Sequence, residues 1–178
     1  MPRVLTILLL GVSLPQTTPA QTPPAQTTYP QADPATTQAK CPWLNQATAR
    51  GALAGPVTLT VTVNEKNEGL CDYTYHQGSV TRRLRISVNL MTDIRKQFPS
   101  YAAQCLPKSE ALRGMGNEAG ICTIHTNQGE EIERVVGRVR DQAFVVSISS
   151  TADDPSMPQQ LRREKTTQIA EQVAGILF

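Results

Sequence analysis

Beyond its first residues the chain has no apolar run near the ~20 residues that a bilayer crossing requires, which excludes a membrane-spanning helix from the rest of the sequence. An excess of one charge is also missing. The formal net charge is +2, and a balance so close to neutral gives no whole-molecule attraction to nucleic acid or anionic lipid. Catalytic signatures are absent as well: there is no G-x-S-x-G elbow, S-x-x-K, H-E-x-x-H or C-x-x-C. Nothing therefore nominates a nucleophile, a zinc-protease centre or a dithiol redox pair. Histidine occurs only at 76 and 125. These absences predict no catalytic residue, no cofactor and no metal.

What is present begins with a leader. One positive charge in Met1-Pro2-Arg3 precedes the apolar run from Val4 to Leu14, and the small residues Thr18-Pro19-Ala20 follow. This is the pattern of a cleavable secretory signal over residues 1–20, which implies a protein acting in the periplasm or outside the cell. Cleavage there removes Arg3 and no acid, so the charge falls from +2 to +1. A lipid-anchored bacterial protein would carry a cysteine at the cleavage point; the first cysteine here is Cys41. Residues 21–40 are rich in proline, threonine and glutamine with almost no large apolar side chains. Burial cannot offset the ordering entropy of such a segment, so a disordered spacer is expected. Composition changes at Cys41, and residues 41–178 have the length of one domain with its own core.

Four cysteines, Cys41, Cys71, Cys105 and Cys122, form an even set that oxidises readily after export, so they read as framework. The elements around them follow from pattern. A short helix from Leu44 to Ala54, with Asn45 near its start, is stopped by Gly55-Pro56, the glycine supplying the left-handed turn. Val57 to Val63 alternates valine or leucine with threonine, the clearest strand of the chain. Cys71 to His76 returns as a second strand. In a third, Leu84, Ile86, Val88 and Leu90 take one face while Arg83, Arg85, Ser87 and Asn89 take the other.

Thr92 then caps a second helix carrying Ile94, Phe98, Ala102 and Cys105 at helical spacing, kinked or divided by Pro99. Strands at 121–126, 132–140 and 143–149 make a second three-stranded meander. A terminal helix begins with Ser156-Met157-Pro158-Gln159, read as a capping box, and buries Leu161, Ile169, Val173, Ile176 and Leu177. The expectation is an α+β domain with an antiparallel sheet of about six strands flanked by helices.

Sequence alone allows three disulfide connectivities. The first helix runs away from Cys41 and the next strand runs back, which returns Cys71 close to Cys41; Cys105 ends the second helix, and Cys122 opens a strand after a compact loop. Cys41 with Cys71 and Cys105 with Cys122 are the expected pairs.

Three constellations suggest more. Gly114-Met115-Gly116-Asn117-Glu118-Ala119 satisfies G-x-G-x-x-A, but a dinucleotide fingerprint needs a strand before it and a helix after it. Here a polar loop precedes and strand-like residues follow, so the glycines read as a tight turn into a strand. Cys71, His76, Cys122 and His125 have the composition of a zinc site. On strands, however, offsets of five and three send each cysteine and its histidine to opposite faces. Asp72, Glu118 or Glu133 could pair with a histidine in space, and the simpler reading is surface charge.

The solvent side of the sheet is the remaining candidate. It gathers Thr58, Thr60, Thr62, Arg83, Arg85, Arg138 and Arg140 into a face of hydroxyls and guanidinium forks suited to carboxylate, phosphate or a polar polymer.

The segment from Leu112 to Ala119, then Val135 to Val146 and a terminal helix, resembles the small secreted or lipid-anchored bacterial domains of unknown function with a PsbP-like α/β sandwich. In that group a "GlGdeA"-type loop precedes the last strands. The resemblance implies an antiparallel sheet flanked by helices, two possible disulfides and a non-enzymatic accessory or binding role, with no catalytic residues to carry over. Two features depart from it: the missing lipobox cysteine and the polar threonine and arginine face. The sequence thus predicts an exported, monomeric binding module for a protein or anionic ligand. The alternatives are a hydrolase using a histidine and a carboxylate, or a purely structural envelope protein.

Overall fold

A computed structural model describes residues 40–151 and 154–178. The expected leader and nearly all of the spacer lie outside these residues. The described residues fold into one seven-stranded antiparallel sheet with three helices, in the order α1 (Gln46–Leu53), β1 (Thr58–Val63), β2 (Gly69–Gln77), β3 (Val80–Leu90), α2 (Ile94–Ala102), β4 (Glu110–Ala111), β5 (Glu118–His125), β6 (Glu130–Val139), β7 (Gln142–Thr151) and α3 (Gln159–Leu177). A 3-10 turn at Ala103–Cys105 extends α2. The spatial order β1-β2-β3-β7-β6-β5-β4 joins two meanders through the β3–β7 pair. Seven strands replace the expected six because Glu110–Ala111, too short to show any alternation, pairs with Gly120 and Ile121 on the outer side of β5.

Alternation decides the layers. Tyr73 and Tyr75 on β2, Leu84, Ile86 and Val88 on β3, and Phe144, Val146 and Ile148 on β7 point to one face. There they form the main core with Trp43, Leu53, Ile169 and Val173 from α1, α3 and the segment before α1. Among the described residues the opposite face is covered only over part of β5–β7, where Phe98 of α2 and Cys105 pack on Cys122, Val136 and Ala143. Cys41 bonds to Cys71 and Cys105 to Cys122, with Cα atoms 5.8 and 5.4 Å apart. The first bridge ties the segment before α1 to β2, and the second ties α2 to β5. Loops of this size restrict the unfolded chain enough to stabilise by roughly 3 kcal/mol each.

Local details differ from the pattern reading. Asn45 caps α1, accepting from the Thr48 N–H at 2.8 Å, but the left-handed residue after the helix is Ala54 (φ 55°) rather than Gly55. Gly55 is required for another reason: a side chain there would collide with the Tyr75 ring. Asp93, not Thr92, caps α2, and Pro99 lies inside that helix without dividing it. No capping box forms at α3. Pro158 occupies the cap position, and Asp154 accepts from the Ser156 N–H at 3.1 Å. The buried stripe of α3 starts at Arg162 and Thr166, not Leu161, and Ile176 is exposed.

Candidate anion-binding site

Because the sheet is antiparallel throughout, its register fixes which open-face residues meet. One row across the strands is Thr60, Asp72, Arg85, Ser147 and Arg134; the next is Thr58, Thr74, Arg83, Ser149 and Ile132. All lie on the face opposite the main core, outside the part of β6 and β7 where Phe98 and Cys105 pack on Val136 and Ala143. The three threonines of β1 and the pair Arg83 and Arg85 therefore share one surface, as alternation predicts. Arg138 and Arg140 do not join them. Arg138 aligns with Asn89 through Ala143, four residues and so roughly 13 Å along the strand from Arg134.

Arg138 is also occupied. It pairs with Glu118, donates to the Arg140 carbonyl at 3.2 Å, and lies 5.8 Å from the centre of the Phe98 ring. Arg140 sits in the β6–β7 turn at φ 54°, its N–H donating to Asn117 Oδ1 at 2.5 Å.

Arg134 takes the place that the sequence reading gave to Arg138. A recess of about 60 Å³ is lined by Arg83, Arg85, Glu130, Ile132, Arg134, Ser147 and Ser149. Asp72 bridges two of the three guanidinium groups, 2.9 Å from Arg85 Nε and 3.5 Å from Arg83 Nε. Glu130 accepts from Ser149 Oγ at 2.6 Å. Among the described residues Arg134 has no carboxylate partner. Its Nη1 reaches only the Gln104 carbonyl at 3.5 Å, and its buried Nε has no acceptor. Burial, and then the nearby positive charge of Arg85, push its pKa below the ordinary guanidinium value. Arg83 Nε and Asp72 Oδ1 are likewise buried without a hydrogen bond. Three cationic forks thus face two carboxylates, one of them committed to a serine. An oxyanion held between Arg85 and Arg134 would supply the acceptor that Arg134 lacks and relieve the repulsion between the two guanidinium groups.

The signal for Arg134 was in the sequence, since it has the same parity as Arg138. Choosing between them requires the register across β7, which alternation alone does not give.

The other candidates separate. Cys71 and Cys122 are spent in disulfides. His76 Nδ1 lies 2.9 Å from Thr81 Oγ1. His125, with a side chain 68% exposed, lies 3.5 Å from Glu131, which also pairs with Arg162. Of the acids considered beside the histidines, Asp72 serves Arg83 and Arg85, Glu118 serves Arg138, and Glu133 is buried, accepting from Thr123 Oγ1 at 2.7 Å. Gly114 and Gly116 have φ of 79° and 65° in the turn leading into β5, with no helix after them. At Gly116 a side chain would meet the Arg138 carbonyl. Among the described residues no helix is long and apolar enough to cross a membrane. No protein-family model matches the chain, and no curated protein matches it at significant similarity.

Proposed function

We propose that the protein is an exported, non-enzymatic binding module that takes a carboxylate or phosphate group on the open face of its sheet, at Arg83, Arg85 and Arg134. The reading is carried by one observation: a half-buried Arg134, with no carboxylate partner among the described residues, stands beside Arg85 in a recess edged by serine hydroxyls. A structural sheet face would pair such a guanidinium or leave it in water, because an unmatched one costs free energy. The leader pattern and the two disulfides support action outside the cytoplasm. An accessory domain of the PsbP-like kind fits the helix-flanked antiparallel sheet.

The test is calorimetric titration with inorganic phosphate and with citrate at low ionic strength. Losing one charged hydrogen-bonding partner costs about 1.5–3 kcal/mol, so Arg134→Ala and Arg85→Ala should each weaken binding at least tenfold, whereas Arg138→Ala leaves it unchanged. Equal affinities in all three variants, or no heat with either anion, would remove the site. The competing hydrolase reading rests on the 3.5 Å approach of His125 to Glu131. That pair lies on an exposed strand end, with Glu131 shared with Arg162, which favours the binding role.

A further inference from the structure

β1 is the outermost strand of the sheet, paired among the described residues only with β2. Long sheet edges in native proteins are shielded by charge, proline or a bulge, because unpaired backbone groups attract another strand. This edge has none of these. Val57-Thr58-Leu59-Thr60-Val61-Thr62-Val63 carries no charge and no proline. The other edge, β4, is only two residues long.

Which backbone groups β1 leaves open follows from its hairpin. The Asn64 N–H donates to the Glu68 carbonyl at 2.9 Å and its carbonyl accepts from the Asn67 N–H at 3.0 Å, so both backbone groups of Asn64 face the returning strand, as at a hydrogen-bonded position of the ladder. Such positions alternate along an antiparallel ladder, which directs Thr62, Thr60 and Thr58 toward β2. The N–H and C=O groups of Leu59, Val61 and Val63 then point away from the sheet. Consistent with this, the outward carbonyl of Val57 is taken by the Gln46 side-chain amide at 3.1 Å.

The segment also reads nearly the same in both directions about Thr60: valine at 57 and 63, threonine at 58 and 62, leucine at 59 against valine at 61. Antiparallel pairing of this strand with itself about Thr60 sets threonine opposite threonine on the open face. It sets Leu59 opposite Val61 on the core face, where both are only partly buried. Each Leu59–Val61 pair exchanges two backbone hydrogen bonds through the groups just identified. No like charges meet, and the two-fold closes so that no third copy can add.

We propose that two copies of this chain dimerise through β1, with Thr60 on the two-fold axis, forming one continuous fourteen-stranded sheet (twice the seven of one copy). The occupant is a second copy because the strand is complementary to itself. The chain's own preceding segment is a poorer partner, since prolines at 23, 24, 30 and 34 each remove a ladder donor. The monomer expected from the sequence gives way to a two-fold dimer whose anion recesses lie on one face. The dimer does not depend on those recesses binding anything.

Sedimentation velocity on the full purified protein across a dilution series tests it. The unmodified protein is expected to sediment at twice the chain mass at high concentration. Thr60→Lys and Thr60→Glu, on an exposed side chain, are each expected to sediment as monomers with unchanged circular dichroism, because like charges then face each other across the axis. Mixing the two variants should restore the dimer, and this rescue excludes simple misfolding. An unmodified protein that stays monomeric overturns the proposal. So does a dimer that both charged variants leave intact, open-ended assembly, or a mixture that fails to recover the double mass.

Discussion

Arg82 and Arg83 are adjacent in the chain and identical in type, yet they face opposite sides of β3 and have different surroundings. Arg82, 4% exposed, donates from Nε and Nη2 to Asp154 at 2.5 and 3.0 Å and from Nη1 to the Leu53 carbonyl at 2.9 Å, with its guanidinium 4.9 Å from the centre of the Tyr75 ring. Arg83 is partly exposed, with Asp72 at 3.5 Å and its Nε unsatisfied. On the covered face each of the three Arg82 nitrogens has a partner; on the open face the match at Arg83 is incomplete, which leaves hydrogen-bonding capacity for something else.

The largest way to break this contrast is to truncate each arginine in turn. Arg82→Ala leaves the Asp154 carboxylate buried and unpaired and should cost about 3–5 kcal/mol in urea unfolding, while Arg83→Ala should stay within about 0.5 kcal/mol. The pair should also show in acid. The Arg82 hydrogen bond, the largest influence on Asp154, holds its carboxyl below the usual 3.8. Its contribution is therefore present above the unfolded carboxyl pKa and is lost as pH falls through the depressed folded value. Stability curves of the parent protein should steepen in that acidic window, and those of Arg82→Ala should flatten there.

The disulfides sharpen the comparison, since each serves one face. Replacing Cys105 and Cys122 together by serine frees α2 from β5 and should cost about 3 kcal/mol. The equivalent change at Cys41 and Cys71 should cost about 0.5 kcal/mol more, because that bridge spans 30 residues rather than 17. Removing the first pair should leave the anion affinity of the open face unchanged, which calorimetry on the same variants would establish.

A smaller effect comes from Tyr73, fully buried on the covered face, where its hydroxyl donates to the Leu44 carbonyl. Burial pushes its pKa from 10.0 up to about 12. The folded protein holds this proton more tightly than the unfolded chain, so stability is intact below about 10 and declines as pH rises toward about 12. The loss is of order 2 kcal/mol. Ultraviolet titration should show one tyrosine ionising late, and Tyr73→Phe should abolish that step.

The strands and the layers were legible in the sequence because alternation is a direct imprint of a sheet with one apolar face. Val57 to Val63 and the sequence of β3 needed no tertiary information. What escaped was decided by contacts between distant segments. Arg162 is buried in the helix stripe because Ser150 Oγ at 2.8 Å, the Met157 carbonyl at 2.6 Å and Glu131 receive it; an apolar pattern cannot register a charge that is paid for by such partners. Arg134 escaped for a similar reason: parity places it on the open face, but its neighbourhood with Arg85 depends on the register of two further strands.

The smallest predicted effect has the opposite sign and tests how far the covered face overrides local preference. Reading Ala54-Gly55-Pro56 from its residue types assigns the left-handed turn to the glycine, the residue that adopts it without strain. The fold gives it to Ala54 at φ 55°, whose N–H returns to the Arg50 carbonyl. Gly55 is reserved for the Tyr75 ring, and the adjacent Leu53 carbonyl is fixed by Arg82. Packing therefore shifts the turn by one residue at a cost of roughly 1 kcal/mol for an alanine in that conformation. Ala54→Gly should recover up to about 1 kcal/mol and raise the unfolding midpoint. Gly55→Ala should lower it, because the added methyl group meets Tyr75. If Ala54→Gly were destabilising while Gly55→Ala was tolerated, the turn would lie where residue preference puts it, and Tyr75 would not be what sets the end of α1.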